Sequence, residues 1–458
     1  MVFSSLLFIF KFLPISLITY FITPKKYKNL TLLLLSLFFY SWGEPKYFPI
    51  MISSILVDFI ISILIENNRH NKGLCKKLLL LSLTINLGIL FFFKYSNFFI
   101  NNINDIFNLS ISTMSLTLPL GISFYTFQTL SYTIDVYRGK VRAENNIINF
   151  ATFVSLFPQL IAGPIVKYTD VNKQLSDRTV GLDKIEEGIK KFILGLGKKV
   201  LIANNVGMLW SEVQEIGFAN ISTPLAWLAI VSFSLQIYFD FSGYSSMAIG
   251  LGKMLGFDFP ENFNFPYISR SLTEFWRRWH ITLGSWFREY VFIPLGGSRV
   301  PKCRLYLNLF IVWALTGFWH GAEYNFILWG LFFFIIISFE KAGLINILNK
   351  HKIFSHIYTI ILLLIGWSIF AITDLTELYL FLNRLFIFKG GVEWIYYISN
   401  YSIIMIIACI LSTPILRNFH IKYINNQYVN MIILICIFIL SIAYLVDSTY
   451  NPFLYFRF

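Results

Sequence analysis

Apolar residues in this chain come in blocks the length of a membrane crossing. They run from Leu6 to Ile22 at one end and from Val429 to Val446 at the other, and most approach the roughly 20 residues that span a hydrocarbon core. Short polar links separate them. Lys25, Lys26 and Lys28 form one basic link, and Arg69, Lys72, Lys76 and Lys77 form another. Between those links, Gly43-Glu44-Pro45-Lys46 has the composition of a hairpin turn. The pattern predicts an all-α, polytopic integral membrane protein with about eleven to thirteen crossings or half-crossings, in one membrane domain over residues 1–458. Positive-inside bias puts both basic links in the cytoplasm and the N-terminus outside. The Asn-rich NNINDIFNLS is expected to form a polar turn leading to an external loop and a returning helix.

Several blocks are interrupted. Leu118–Tyr137 contains Pro119, Gly121, Gln128 and Asp135, so it should lie against protein or a wet cavity, where freed backbone groups find partners. In FPQLIAGPIV, Pro158, Gly163 and Pro164 should break a helix, and Gln159 either hydrogen-bonds within that kink or lines a cavity. From Lys167 the composition turns polar. Leu182, Ile185, Ile189, Phe192, Leu196 and Val200 recur at helical steps, Asp183 and Glu186 are spaced as a capping box, and Lys190, Lys191, Lys198 and Lys199 fall on the polar face. Residues 167–200 are therefore expected along the cytoplasmic interface. Asp240, at the end of a membrane run, should be paired or wet. With Tyr244 it either holds structure together or shapes a substrate passage.

Residues 271–321 concentrate the candidate chemistry. Ser271 and Glu274 are spaced as a capping box, predicting a helix from Leu272 whose apolar face carries Phe275, Trp276, Trp279, Leu283, Trp286 and Phe287. His280 falls at the border of that face. Arg277, Arg278 and Arg288 cover the rest, either anchoring an interfacial helix or offering guanidinium forks to a pyrophosphate or carboxylate. His320 differs, because it follows the uncharged run Leu309–Trp319, where an ionisable group is expensive. It is either a satisfied core histidine or a site.

Composition narrows these readings. Apolar residues make up 56% of the chain and charged residues 13%, which excludes an ordinary soluble protein. The formal charge of +13 lies in the links, as membrane topology requires, so it is no argument for nucleic acid. Lys11 and Pro14 in the first run, with no small-x-small site, argue against a cleaved signal peptide. Cys75, Cys303, Cys409 and Cys436 lack disulfide or metal spacing, and no metal is expected.

The segments EFWRRWH, WFREYVFIPLGGS and TGFWHGAEYNFILWG resemble the signature of the membrane-bound O-acyltransferase family, in its bacterial branch acting on envelope polysaccharides. IYFDFSGYSSMAIG, FPQLIAGPI and GIKKFILGLGKKVLIAN extend the likeness over nearly the whole chain. The resemblance implies a ring of helices around a central tunnel, with His320 as the catalytic histidine and His280 supporting it and binding the acyl donor. Gln159, Asp240, Tyr244, Trp276, Arg277, Arg278 and Trp319 are the candidates to line that tunnel or its substrate passage. The ending FLYFRF, in the tail 451–458, is similar to a short motif whose tyrosine carries the acyl group, which makes Tyr455 the candidate carrier. The expected activity is O-acetyl transfer from acetyl-CoA, with no permanently bound cofactor, across the bacterial cytoplasmic membrane. Its acceptor would be a polysaccharide such as peptidoglycan or an alginate-like polymer, reached with an extracytoplasmic esterase-like (SGNH-type) partner. D-alanyl transfer to teichoic acid and non-enzymatic transport of envelope precursors are the alternatives.

Overall fold

A backbone immersed in hydrocarbon must satisfy its own hydrogen bonds, and this chain does so with helices. The computed structural model describes residues 2–161, 163–423, 426–447 and 450–452. Among the described residues the regular elements are helical throughout, and eight helices are long and apolar enough to cross a membrane. By contact density the chain divides into two units, Met1–Phe192 with Ser245–Pro260, and Ile193–Tyr244 with Glu261–Phe458.

In the first unit, α1 (Lys28–Gly43) and α2 (Phe48–Asn67) are joined at the turn that the sequence predicts. Helix α3 (Lys72–Phe107) then runs straight through most of the expected polar turn and ends only at left-handed Asn108, φ 49°. The reason is that the asparagines bind the loop beyond the helix instead of bending the chain. Asn97 exchanges two 2.9 Å bonds with the backbone of Met114, and Asn104 two of 2.9 Å with that of Ile111. Buried Asp58 of α2 accepts from Ser82 and Asn86 (2.8 Å) of α3 and from Thr133 (3.2 Å) of α4 (Ile122–Tyr137), tying three helices together through one carboxylate. The predicted break falls between Ile147–Ser155 and Phe157–Leu160.

Helix α5 (Leu182–Ile216) is amphipathic over Leu182–Gly197, as the sequence predicts, but does not end there. It continues for 35 residues and is apolar enough to span a membrane. Residues Lys198–Ala203 are wound as a π-helix. Such a turn holds one extra residue and shifts every later side chain around the axis. Lys199, expected on the polar face, follows Leu196 by three residues and Phe192 by seven, which puts it on the apolar face at the start of that turn; it is buried with 1% exposure, while Lys190, Lys191 and Lys198 stay partly exposed. It pairs with Asp240 of α6 (Thr223–Met254) at 2.8 Å.

The second unit adds the short helices α7 (Leu272–Arg278) and α8 (Ile281–Phe287), then α9 (Lys302–His320), α10 (Tyr324–Lys350), α11 (Lys352–Ala371), α12 (Glu393–Leu411) and α13 (Gln427–Asp447). Helices α9 and α10 touch backbone to backbone. A Cβ on Gly317 would lie 2.4 Å from the Phe326 carbonyl oxygen, and one on Gly330 2.6 Å from that of Trp313, so this crossing tolerates only glycine. Helix α7 starts where the capping pattern predicts, with the Ser271 hydroxyl accepting from Glu274 N–H at 3.0 Å. A second cap is supplied by α10. The wholly buried Glu340 carboxylate accepts from Leu272 N–H and Thr273 N–H, each 2.8 Å, and from the Thr273 hydroxyl at 2.6 Å.

Replacing Glu340 by Leu strands the buried Leu272 N–H, at a cost of about 1–3 kcal/mol, and the half-buried Thr273 N–H at less. Glu340→Leu should lower the midpoint of thermal unfolding in detergent by several degrees, and Glu340→Gln by clearly less. Equal midpoints for wild type and the Leu variant would remove this anchoring role.

Candidate functional site

His320 is the last residue of α9, 6% exposed. Its ring lies 4.9 Å from that of Trp319, 5.0 Å from Trp329 and 5.1 Å from Phe370, centroid to centroid. The chain can turn there because Gly321 leaves room for the Phe326 ring, which a Cβ would meet at 2.2 Å. Phe370 is held in place by buried Asn325, whose amide donates to the Ile369 and Phe370 carbonyls, both 3.1 Å, at the end of α11. The indole N–H groups of Trp329 and Trp276, rings 5.4 Å apart, are buried and have no acceptor among the described residues.

His280 sits at a break that the sequence does not predict. The pattern reads as one helix from Leu272 through Phe287, but Trp279 is extended and His280 left-handed, φ 44° and ψ 54°. The segment Asn262–Asn264 imposes this. Ile281 N–H donates to the Asn262 carbonyl (3.0 Å), Asn264 N–H donates to the Arg278 carbonyl (2.9 Å), and Thr282 donates to Asn262 Oδ1 from both N–H (3.2 Å) and hydroxyl (3.0 Å). Those donors fix Oδ1 as an acceptor, so His280 Nδ1, 3.1 Å away, must carry the hydrogen and leave Nε2 with the lone pair. Burial drives the His280 pKa down to about 3, so the ring is neutral at any physiological pH. Its face meets Phe241 at 4.7 Å and Trp319 at 6.0 Å, so the Trp319 indole adjoins both histidines.

The other expected residues divide. Trp276 joins the aromatic cluster around His320, 5.2 Å from Trp313 and 4.9 Å from Phe333. Arg278 is engaged structurally, donating to Glu274 (2.9 Å) and to the Asn264 carbonyl (3.1 Å), whereas Arg277 is exposed. Asp240 is the buried partner of Lys199, and Tyr244 is wholly buried on the same helix. Gln159 belongs to the first unit, where its amide donates to the Phe153 carbonyl at 2.5 Å across the helix break. Tyr455 lies outside the described residues. Sequence reasoning missed Asn262, Asn325, Trp329 and Glu340. Glu340, the carboxylate that ends an apolar run, was the one with a readable signal. Among the described residues, no three of His, Cys, Asp and Glu gather as a metal-holding group.

With its folded pKa depressed, His280 resists protonation while the unfolded chain accepts it, so its contribution to stability is lost as pH falls below about 6.5. Imidazole nitrogen shifts in histidine-labelled protein should report a neutral Nδ1–H ring for His280 from pH 8 to pH 5. A titration midpoint inside that window would contradict the assignment.

Residues 140–382, a range that contains both histidines, match the model of the MBOAT, membrane-bound O-acyltransferase family. A protein of Pseudomonas aeruginosa described as a probable alginate O-acetylase is 42% identical over 383 residues, covering 82% of this chain and 73% of its own. A peptidoglycan O-acetyltransferase of Helicobacter pylori is 40% identical over 378 residues, 75% of this chain and 71% of its own. A teichoic acid D-alanyltransferase of Bacillus subtilis is 29% identical over 238 residues, 48% of this chain and 60% of its own. With a family match over more than half of the sequence and relatives above 40% identity across four fifths of it, this chain belongs to the membrane-bound O-acyltransferase family.

Proposed function

We propose that this protein transfers acetyl groups from cytoplasmic acetyl-CoA to hydroxyls of an extracytoplasmic polysaccharide, of the peptidoglycan or alginate type, with His320 as general base. The observation that carries the reading is the His320 site itself: an imidazole ending a membrane helix, walled by aromatic rings and flanked by indole N–H groups. A hydroxyl is a weak nucleophile at neutral pH and gains from a base within reach. His320 takes the proton of the Tyr455 hydroxyl as its oxygen attacks the thioester carbonyl. The C–S bond breaks, the thiolate regains that proton, and free thiol and acetyl-tyrosine result. A sugar hydroxyl then attacks the ester, the polymer keeps the acetyl group, and the phenol of Tyr455 is restored.

The indole N–H of Trp329 suits the oxygen that gathers charge in this attack, since donors fixed in a water-poor site need no reorganisation. The neutral His280, with its lone pair on Nε2, serves as an acceptor for a donor group of the thioester carrier. The relatives named for O-acetylation match more of the chain at higher identity than the D-alanyl relative, which favours acetyl as the group carried. The basic links support a bacterial cytoplasmic-membrane protein with its N-terminus outside. An SGNH-type transferase outside the membrane completes delivery to the polymer.

His320→Ala should lower the O-acetyl content of envelope polysaccharide, measured by mass spectrometry, with transfer falling about 10²- to 10⁴-fold at normal membrane insertion. Trp329→Phe, which keeps a ring but deletes the N–H, should cost up to about 10²-fold. Undiminished acetylation with His320→Ala would leave transport without catalysis as the better account.

Tyr455→Phe deletes only a hydroxyl, so a carrier role predicts lost transfer with unchanged expression. If that variant acetylates normally, the tail is an aromatic membrane anchor.

A further inference from the structure

The buried Lys199–Asp240 pair has a third participant. Besides Asp240 Oδ1 at 2.8 Å, the Lys199 ammonium reaches Asn204 Oδ1 at 2.8 Å and the backbone carbonyl of Pro452. The adjoining residues are held as well. Asn204 Nδ2 donates to Asn451 Oδ1 at 3.2 Å, and the Tyr450 hydroxyl shares a 2.9 Å bond with Ser211 and donates to the Gly207 carbonyl at 3.3 Å. The ammonium thus hydrogen-bonds two carbonyl oxygens, of Asn204 and Pro452, while its charge is paired with the Asp240 carboxylate. Lys199 faces inward with Phe192 and Leu196 and sits at the start of the π-helical turn Lys198–Ala203, a kind of irregularity frequent at functional sites.

A simple structural explanation would need only Asp240. An ion pair at this depth costs desolvation that is recovered only with further hydrogen bonds, and two apolar residues of similar size would serve packing as well. What the charged arrangement provides is a fixed direction for three consecutive residues near the end of the chain. We infer that Lys199, Asp240, Asn204 and Tyr450 form a clamp that docks residues 450–452 and thereby positions the segment that follows for acyl transfer. Holding the Pro452 carbonyl fixes the point from which the chain continues. These are positioning residues and act through the tail. The inference rests on the carrier reading of Tyr455 for its consequence, but not for the clamp.

The test uses full-length protein in nanodiscs with exposed Cys303, Cys409 and Cys436 changed to Ser, buried Cys75 kept, and a nitroxide attached through Pro452→Cys, which preserves the accepting carbonyl. The label should be immobilised in this background. Its rotation should become at least several-fold faster with Tyr450→Phe, which keeps the ring, and with Lys199→Met combined with Asp240→Leu, which removes both charges and avoids an unpaired one. Without the label, both variants should reduce polysaccharide acetylation about tenfold or more while keeping the wild-type unfolding midpoint. Equal label mobility in all backgrounds overturns the clamp. Loosened label with full acetylation overturns its part in transfer. If Tyr455→Phe acetylates normally, the carrier reading fails, while the label result still decides whether the clamp exists.

Discussion

The contact on which the site depends is the crossing of α9 and α10 at Gly317 and Gly330. With no hydrophobic drive between helices in lipid, association rests on close approach, and here two backbones meet with no side chain between them. That contact places the end of α9, and hence His320, against Phe326 and Trp329 of α10. The same helix α10 carries Glu340, which caps α7 and so locates the segment leading to His280. One helix thus holds both histidine-bearing segments, by a steric fit at its start and a charged cap further along.

Buried polar groups elsewhere follow the same economy. Asp58 and Glu340 lie inside helical packing, and each bonds to more than one element. A carboxylate in that setting is tolerable only when several donors converge on it. Each therefore specifies an arrangement of helices, whereas the aromatic residues around them fill volume without fixing direction. The histidines exploit this division, being set among rings but oriented by backbone breaks at Gly321 and at Trp279–His280.

Local pattern made much of this legible. The apolar blocks, the hairpin at Gly43–Lys46, the start of α7 at Ser271 and the break around Pro158 are properties of a few adjacent residues, and sequence reasoning reaches them. What it missed depends on distant partners. The end of α7 is set by Asn262, which no periodicity in residues 271–287 can reveal, and the asparagines of α3 bind a loop beyond their own helix. Lys199 shows a different failure: residue type assigned it to the polar face, although its spacing from Phe192 and Leu196 puts it on the apolar one. The candidate site was legible as two histidines and their tryptophans. Their sharing of the Trp319 indole was not, nor was the supporting role of Asn325.

The link between Lys199 and Pro452 also bears on how the protein is made. Its partners are separated by most of the second unit, a contact of very high sequence separation of the kind that forms late. During synthesis Lys199 and Asp240 emerge long before residues 450–452, so the ammonium first has Asp240 and Asn204 as its neighbours. Docking of residues 450–452 therefore follows the synthesis of every other member of this cluster.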